Sequence, residues 1–228
     1  MTMSDNWVYL SYPWGPSCPA YAGGTGLEFK PLNSIKDGAS SNSLEIKGPN
    51  HIGTHFDFPR HFDERGKSVL DYPPEAFMHK RCLVFWLDMM RAQLLEIEAL
   101  EQKLEFYTGD YSESIVLIRT GAGLYRHEPA FWKEGPGLGL GLAGFLRSKF
   151  PRLTTVGMDC ISVSSLAHRE TGRLVHREFL CEDRPLLLIE DMNLEPLAGK
   201  GVREVLSIPL RIENGDGAPC TVLAKLEA

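Results

Sequence analysis

Apolar residues come in short runs cut by Pro, Gly and polar stretches, and the period within each run decides which element it predicts. Ser43–Lys47 alternates polar and apolar side chains, the two-residue period of a half-buried strand. Residues 82–87 and 115–118 are unbroken apolar runs, too short for helices and suited to strands covered on both faces. Residues 7–11, 154–158, 185–189, 205–212 and 220–226 predict further strands. Residues 93–106 differ. Apolar side chains at 94, 95, 97, 100 and 104 make a helical stripe, with Glu96, Glu98, Glu101 and Glu105 as its solvated face. Residues 138–150 predict a second helix, and residues 13–24, rich in Pro, Gly and aromatics, a loop. Strands outnumber helices and do not alternate with them regularly. That order predicts an α/β fold, a single domain over residues 1–228 with a mixed, strand-rich sheet and flanking helices.

Composition narrows the function. The 228 residues are enough to bury a full core. A net charge of −6 argues against nucleic acid, whose phosphates need clustered Lys and Arg. No apolar run approaches membrane-spanning length, so no membrane partner is expected. Residues 1–10 lack the basic region and apolar core of a signal peptide. Five cysteines, odd in number and without a CxxC pair, suit reduced thiols in a cytoplasmic protein.

Residues 51–61 carry the chemistry: His51-Ile52-Gly53-Thr54-His55-Phe56-Asp57-Phe58-Pro59-Arg60-His61. Imidazole nitrogen with carboxylate oxygen is the ligand set of zinc, and also of manganese or iron. On a helix Asp57 would point away from His51 and His55, and Gly53, Thr54 and Pro59 suit helix interiors poorly. An extended chain instead puts every odd-numbered position on one face. A straight strand separates residues 51 and 55 by roughly 13 Å. The chain is therefore expected to bend or bulge at Gly53, whose missing side chain leaves room beside an ion. The cluster predicts a metal site and metal-assisted chemistry.

This eleven-residue segment resembles the signature of the cyclase-type metal hydrolase family, which includes kynurenine formamidase (arylformamidase) and isatin hydrolase. The likeness continues through Leu10-Ser11-Tyr12-Pro13, Gly66-Lys67-Ser68, Val156-Gly157-Met158-Asp159, Ile208-Pro209-Leu210 and Gly215-Asp216-Gly217-Ala218-Pro219. The resemblance implies a swivelling β/β/α-type fold assembled as a homodimer or homotetramer. It implies hydrolysis of the C–N bond of an aryl formamide or cyclic amide by cation-activated water, as in tryptophan catabolism. It also implies that His51, His55 and Asp57, with the downstream matches His176 and Glu190, hold Zn²⁺. Kynurenine formamidases hold two ions; the isatin hydrolase branch uses one Mn²⁺. The His176-to-Glu190 spacing is slightly longer than the family pattern, which implies a looped insertion near residues 181–184. His168 competes with His176 as the downstream ligand but lies in a polar stretch.

Amide hydrolysis also needs an acid for the leaving nitrogen. His61, closing the motif and not required as a ligand, is the candidate; a structural role is its alternative. Asp159 and Ser162 are expected to orient a ligand through hydrogen bonds. Trp14, Tyr21, Phe29, Phe56 and Phe58 are candidates either for an aryl pocket or for the core. Tyr21 stands where kynurenine formamidases tend to carry Trp. Residues 139–144 match GxGxxG, but a turn-like stretch precedes them, so a nucleotide-dependent oxidoreductase is disfavoured. No GxSxG elbow supports Ser162 or Ser164 as nucleophile. His79 and His127 default to surface positions. Two readings remain beside the arylformamidase-like one: a one-manganese hydrolase of another cyclic amide or lactone, and a non-catalytic, metal-stabilised binding protein.

Overall fold

Of the unbroken apolar runs, residues 115–118 become an inner strand of one nine-stranded sheet, where a strand must be apolar on both faces, and residues 82–87 become the strand that ends its order. A computed structural model describes residues 6–227, so the reading of residues 1–10 falls partly outside the described residues. The strands are β1 (Trp7–Tyr9), β2 (Glu28–Asn33), β3 (Ser43–Lys47), β4 (His55–Asp57), β5 (Met78–His79), β6 (Cys82–Trp86) and β7 (Leu94–Leu95). They continue with β8 (Ile115–Arg119), β9 (Gly137–Leu138), β10 (Thr155–Met158), β11 (Leu187–Glu190), β12 (Val202–Pro209) and β13 (Gly217–Leu226). The helices are α1 (Ile97–Leu104), α2 (Ala130–Lys133), α3 (Leu142–Lys149) and α4 (Arg169–Leu180). The large sheet runs β5-β12-β13-β4-β11-β10-β8-β6, with β1 also on β13. Strands β6, β8, β10 and β11 are parallel neighbours, and the remaining pairings are antiparallel. This is the mixed α/β sheet that the pattern predicts.

Alternation along each strand sorts side chains between two cores. Val116, Ile118, Val156, Met158 and Leu188 bury with Leu100, Leu146, Val175 and Phe179 of the helices. Ile115, Leu117, Leu187 and Ile189 point the other way, onto Phe56, Phe58, Val205 and Val222. Strand β12 also approaches β6, so the sheet curls towards a barrel around this second core. Each fully buried Leu, Val or Phe contributes roughly 1.5–3 kcal/mol, and the central strands supply most of their buried positions with such large apolar residues.

Several local expectations change. Strand β3 pairs only with β2, and Leu44 and Ile46 stay 46% and 48% exposed, so it is not half-buried. The helix expected over residues 93–106 starts at Ile97, and that expected over 138–150 at Leu142. In both cases the preceding residues are drawn into the β7–β9 pairing. Helix α4 has no counterpart among the expected elements. His79 is buried rather than exposed, because β5 pairs with β12 and sets it beside Ser207. Burial pushes its pKa down to about 4. In residues 139–144, the Gly141 N–H at the start of α3 is taken by the Glu178 carboxylate at 2.8 Å. All five cysteines are free thiols. Among the described residues, no helix is long and apolar enough to cross a membrane.

Candidate metal centre

Strand β4 is only three residues long but is paired on both sides, to β11 and to β13. Opposite residues of an antiparallel pair share a face. The register sets His55 against Glu190 and Asp57 against Leu188, so His55, Asp57 and Glu190 point to the helical side. Helix α4 packs over that face and turns His176 towards the same point. Phe56, one residue out of phase, is driven into the opposite core. Ahead of the strand, Gly53 takes a left-handed φ of +68°, the bend expected there. The space beside it is not open to an ion: a Cβ would lie 3.0 Å from Trp14 and Cys18.

His55 and His176 use the same device. Each donates Nδ1–H to a main-chain carbonyl at 2.8 Å, Gly53 O and Gly172 O respectively. That fixes the tautomer and leaves Nε2 facing two carboxylates. His55 Nε2 lies 3.5 Å from Asp57 Oδ1 and from Glu190 Oε2. His176 Nε2 lies 3.6 Å from Asp57 Oδ2 and from Glu190 Oε1. These separations exceed an N–H···O hydrogen bond, about 2.7–3.2 Å. They match two donors sharing a tetrahedral cation at about 2.1 Å each, which stand about 3.4 Å apart. All four side chains are buried, and two enclosed carboxylates need positive charge between them. The donor set therefore fits a divalent cation. Glu190 Oε1 also accepts the Val163 N–H at 2.8 Å, which holds the carboxylate in place.

A second group adjoins the first. His51 Nδ1 lies 2.8 Å from Asp57 Oδ1, and its Nε2 lies 2.9 Å from Asp216 Oδ2. His61 Nδ1 lies 3.0 Å from the same Asp216 oxygen, and its ring stacks on His51 at 4.1 Å. Burial disfavours charge on His51, but the hydrogen bonds to Asp216 and Asp57 outweigh it and push its pKa up to about 10. Burial is likewise outweighed at His176, raised to about 10 through Asp57 and Glu190, and His55 is raised as well. Burial alone would raise Asp57; the imidazoles of His176, His51 and His55 around it hold it well below its ordinary range. Hydrogen bonds from His51 and His61 depress Asp216 in the same way. His61 Nε2 has no hydrogen-bond partner among the described residues, and the ring lines a cavity of about 290 Å³.

Residues 8–165, about two thirds of the chain, match the model of the Cyclase family. The chain belongs to that family. This Cyclase-family chain is 26% identical to kynurenine formamidase of Bacillus cereus over 220 residues, 95% of each sequence. Its fold superposes on isatin hydrolase A from Ralstonia solanacearum with a TM-score of 0.77 and 22% identity, covering 96% and 91% of the two chains. A predicted metal-dependent hydrolase from Bacillus stearothermophilus superposes with a TM-score of 0.68 at 20% identity, covering 96% and 97%.

Within this Cyclase-family cavity the residues singled out by sequence divide. His51, His55, Asp57, His61, His176 and Glu190 all line it, as do Tyr21 and Ser162. His168 does not; it is exposed and bonds to the Ala92 carbonyl. Residues 181–184 form a bent loop after α4, where the extra spacing was expected. Phe56 and Phe58 are core, and Trp14 and Phe29 pack against Cys18, Leu27 and Ile52 instead. The Asp159 carboxylate is bonded to none of the cluster's side chains; it accepts from Thr120, Gly121 and Gly123 and builds a turn. Asp216, Phe62, Arg169 and Arg173 were not anticipated as site residues. Asp216 sits in the Gly-Asp-Gly-Ala-Pro segment whose likeness to the family was its available signal. Phe62 stacks on His176 at 4.6 Å and directly follows His61.

Proposed function

We propose that the chain is a metal-dependent hydrolase of C–N amide bonds in an aryl formamide or cyclic amide. His51, His55, Asp57, His176 and Glu190 would hold one or two Zn²⁺ or Mn²⁺ ions; the donor set suits either metal. The observation that carries the reading is the convergence of two imidazole Nε2 atoms on the same two buried carboxylates, with His61 facing the same cavity. When bound, the cation lowers the pKa of water from about 15.7 towards 7 and polarises the carbonyl oxygen. The chain's own residues do the rest. Asp216 fixes the His61 ring through Nδ1, so that Nε2 presents a proton to the leaving nitrogen. Phe62, Ile161 and Tyr21 give the cavity apolar walls suited to an aryl ring.

The relatives' names support amide hydrolysis: kynurenine formamidase by sequence and isatin hydrolase by fold. The same reading takes the protein as a cytoplasmic homodimer or homotetramer, the assembly being supported by Leu44 and Ile46, which lie exposed on the β2–β3 hairpin. The test is turnover of N-formylkynurenine, formanilide and isatin by Zn²⁺- or Mn²⁺-loaded protein, with loss on chelation and recovery on metal return. No turnover across amides, esters and lactams by a metal-loaded sample would leave the metal-stabilised binding protein in its place.

A further inference from the structure

We infer that Arg169 and Arg173 form a rim that selects amide substrates carrying a carboxylate, an inference that rests on the hydrolase reading above. Both side chains line the mouth of the cavity that holds the histidine–carboxylate cluster. On α4, Arg173 lies three residues and Arg169 seven residues before His176. At about 1.5 Å per residue they stand roughly 5 and 10 Å along the axis from that histidine, with Arg169 almost directly in line with it.

Their charges are not absorbed by the protein. The Arg169 side chain makes no hydrogen bond or ion pair among the described residues. Arg173 meets only Glu170, in a pair whose members are both exposed, and such pairs hold weakly. The carboxylates of the cavity are committed elsewhere. Asp57 and Glu190 face the histidines, Asp216 joins His51 to His61, and Asp191 takes both forks of Arg126. Burial raises the pKa of the Tyr21 hydroxyl at the same rim, and Arg169 and Arg173 are close enough to oppose that rise.

A guanidinium binds a carboxylate through two parallel hydrogen bonds, a geometry a neutral group cannot match. Phe62 and Ile161 line the same cavity as the histidine–carboxylate cluster and the two arginines, which leaves apolar wall for an aryl ring whose amide meets the cluster and whose charge meets the cations. The substrate class that fits is an N-acylaniline or cyclic anilide whose ring carries a carboxylate away from the scissile carbonyl.

The probes are 4-formamidobenzoate and its methyl ester, hydrolysed by metal-loaded wild type, Arg169→Gln, Arg173→Gln and the double variant at low ionic strength. The expected acid-to-ester ratio of kcat/KM is about tenfold in favour of the acid. It falls towards unity in the double variant, through KM, and on raising the salt. A wild-type ratio near one, or a ratio the substitutions do not move, overturns the inference while leaving hydrolysis standing. Calorimetric binding of both compounds to His61→Ala protein, with and without the arginines, reads the rim without turnover. Selective acid binding that is lost with the arginines, where metal-loaded wild type hydrolyses neither compound, would sustain the rim and overturn the hydrolase reading. Equal binding of acid and ester would remove the rim.

Discussion

Two imidazoles and two carboxylates converge because each is held from behind: His55 and His176 by main-chain carbonyls, Glu190 by the Val163 amide, Asp57 by flanking strands. His61 stands outside that square, bonded to Asp216 and stacked on His51. The two groups therefore separate by substitution. His61→Ala is expected to keep its metal and lose kcat by about 10²–10⁴-fold, as for removal of a positioned acid. Metal loss in that variant, measured by elemental analysis, would contradict the assignment. His79 gives an independent test of burial. The unfolded chain takes up its proton near pH 6.5, whereas the folded chain resists down to about 4. Stability present above pH 6.5 is thus lost as pH falls through that window, by about 3 kcal/mol. Urea unfolding at pH 7 and pH 4.5 should show a smaller acid loss in His79→Gln than in wild type; equal losses would refute it.

At the scale of elements, the cluster exists because a three-residue strand is locked between two partners and a helix lies across it. Helix α4 is held close to the sheet at Gly172, where a Cβ would run into the side chain and main chain of Ser164. Gly172→Ala should cost about 1–3 kcal/mol by overpacking and weaken metal binding by displacing His176. Unchanged metal affinity by competition titration would show that the helix tolerates the shift. The dense segment from His51 to His61 could be read from sequence because its period-two pattern is local. His176, Glu190 and Asp216 could not be derived that way. They meet the motif only through strand register and helix docking, and Asp216 reaches His51 from 165 residues away. Helix α4 did leave a local signal: its buried positions 172, 175, 176, 179 and 180 follow helical spacing. A glycine and a histidine among those positions disguise the stripe.

Across the whole molecule, the apolar run at 115–118 correctly foretold a buried inner strand, since a doubly covered strand is apolar throughout, whereas the run at 82–87 ends the sheet order and is only partly buried. Period-two alternation at Ser43–Lys47 gave the right element and the wrong burial, because a period shows which residues share a face but not what covers it. Phe29, Pro31, Leu44 and Ile46 share one side of the β2–β3 hairpin, while Lys30–Glu45 and Lys47–Glu28 pair on the other. A two-stranded hairpin is marginal alone in water. Under the proposed homo-oligomer this apolar side is covered by a second subunit. Leu44→Glu with Ile46→Lys should then shift the protein to a smaller species in sedimentation, and an unchanged mass would remove the hairpin from the interface.

The central claim, that His55, Asp57, His176 and Glu190 hold a divalent cation, is tested most directly by metal stoichiometry per chain in wild type and His55→Ala. The account predicts between one and two Zn²⁺ or Mn²⁺ ions per wild-type chain after loading and dialysis, with the ion of this four-residue site lost from the variant. A wild type that retains none, or a variant that retains as much as wild type, would contradict it.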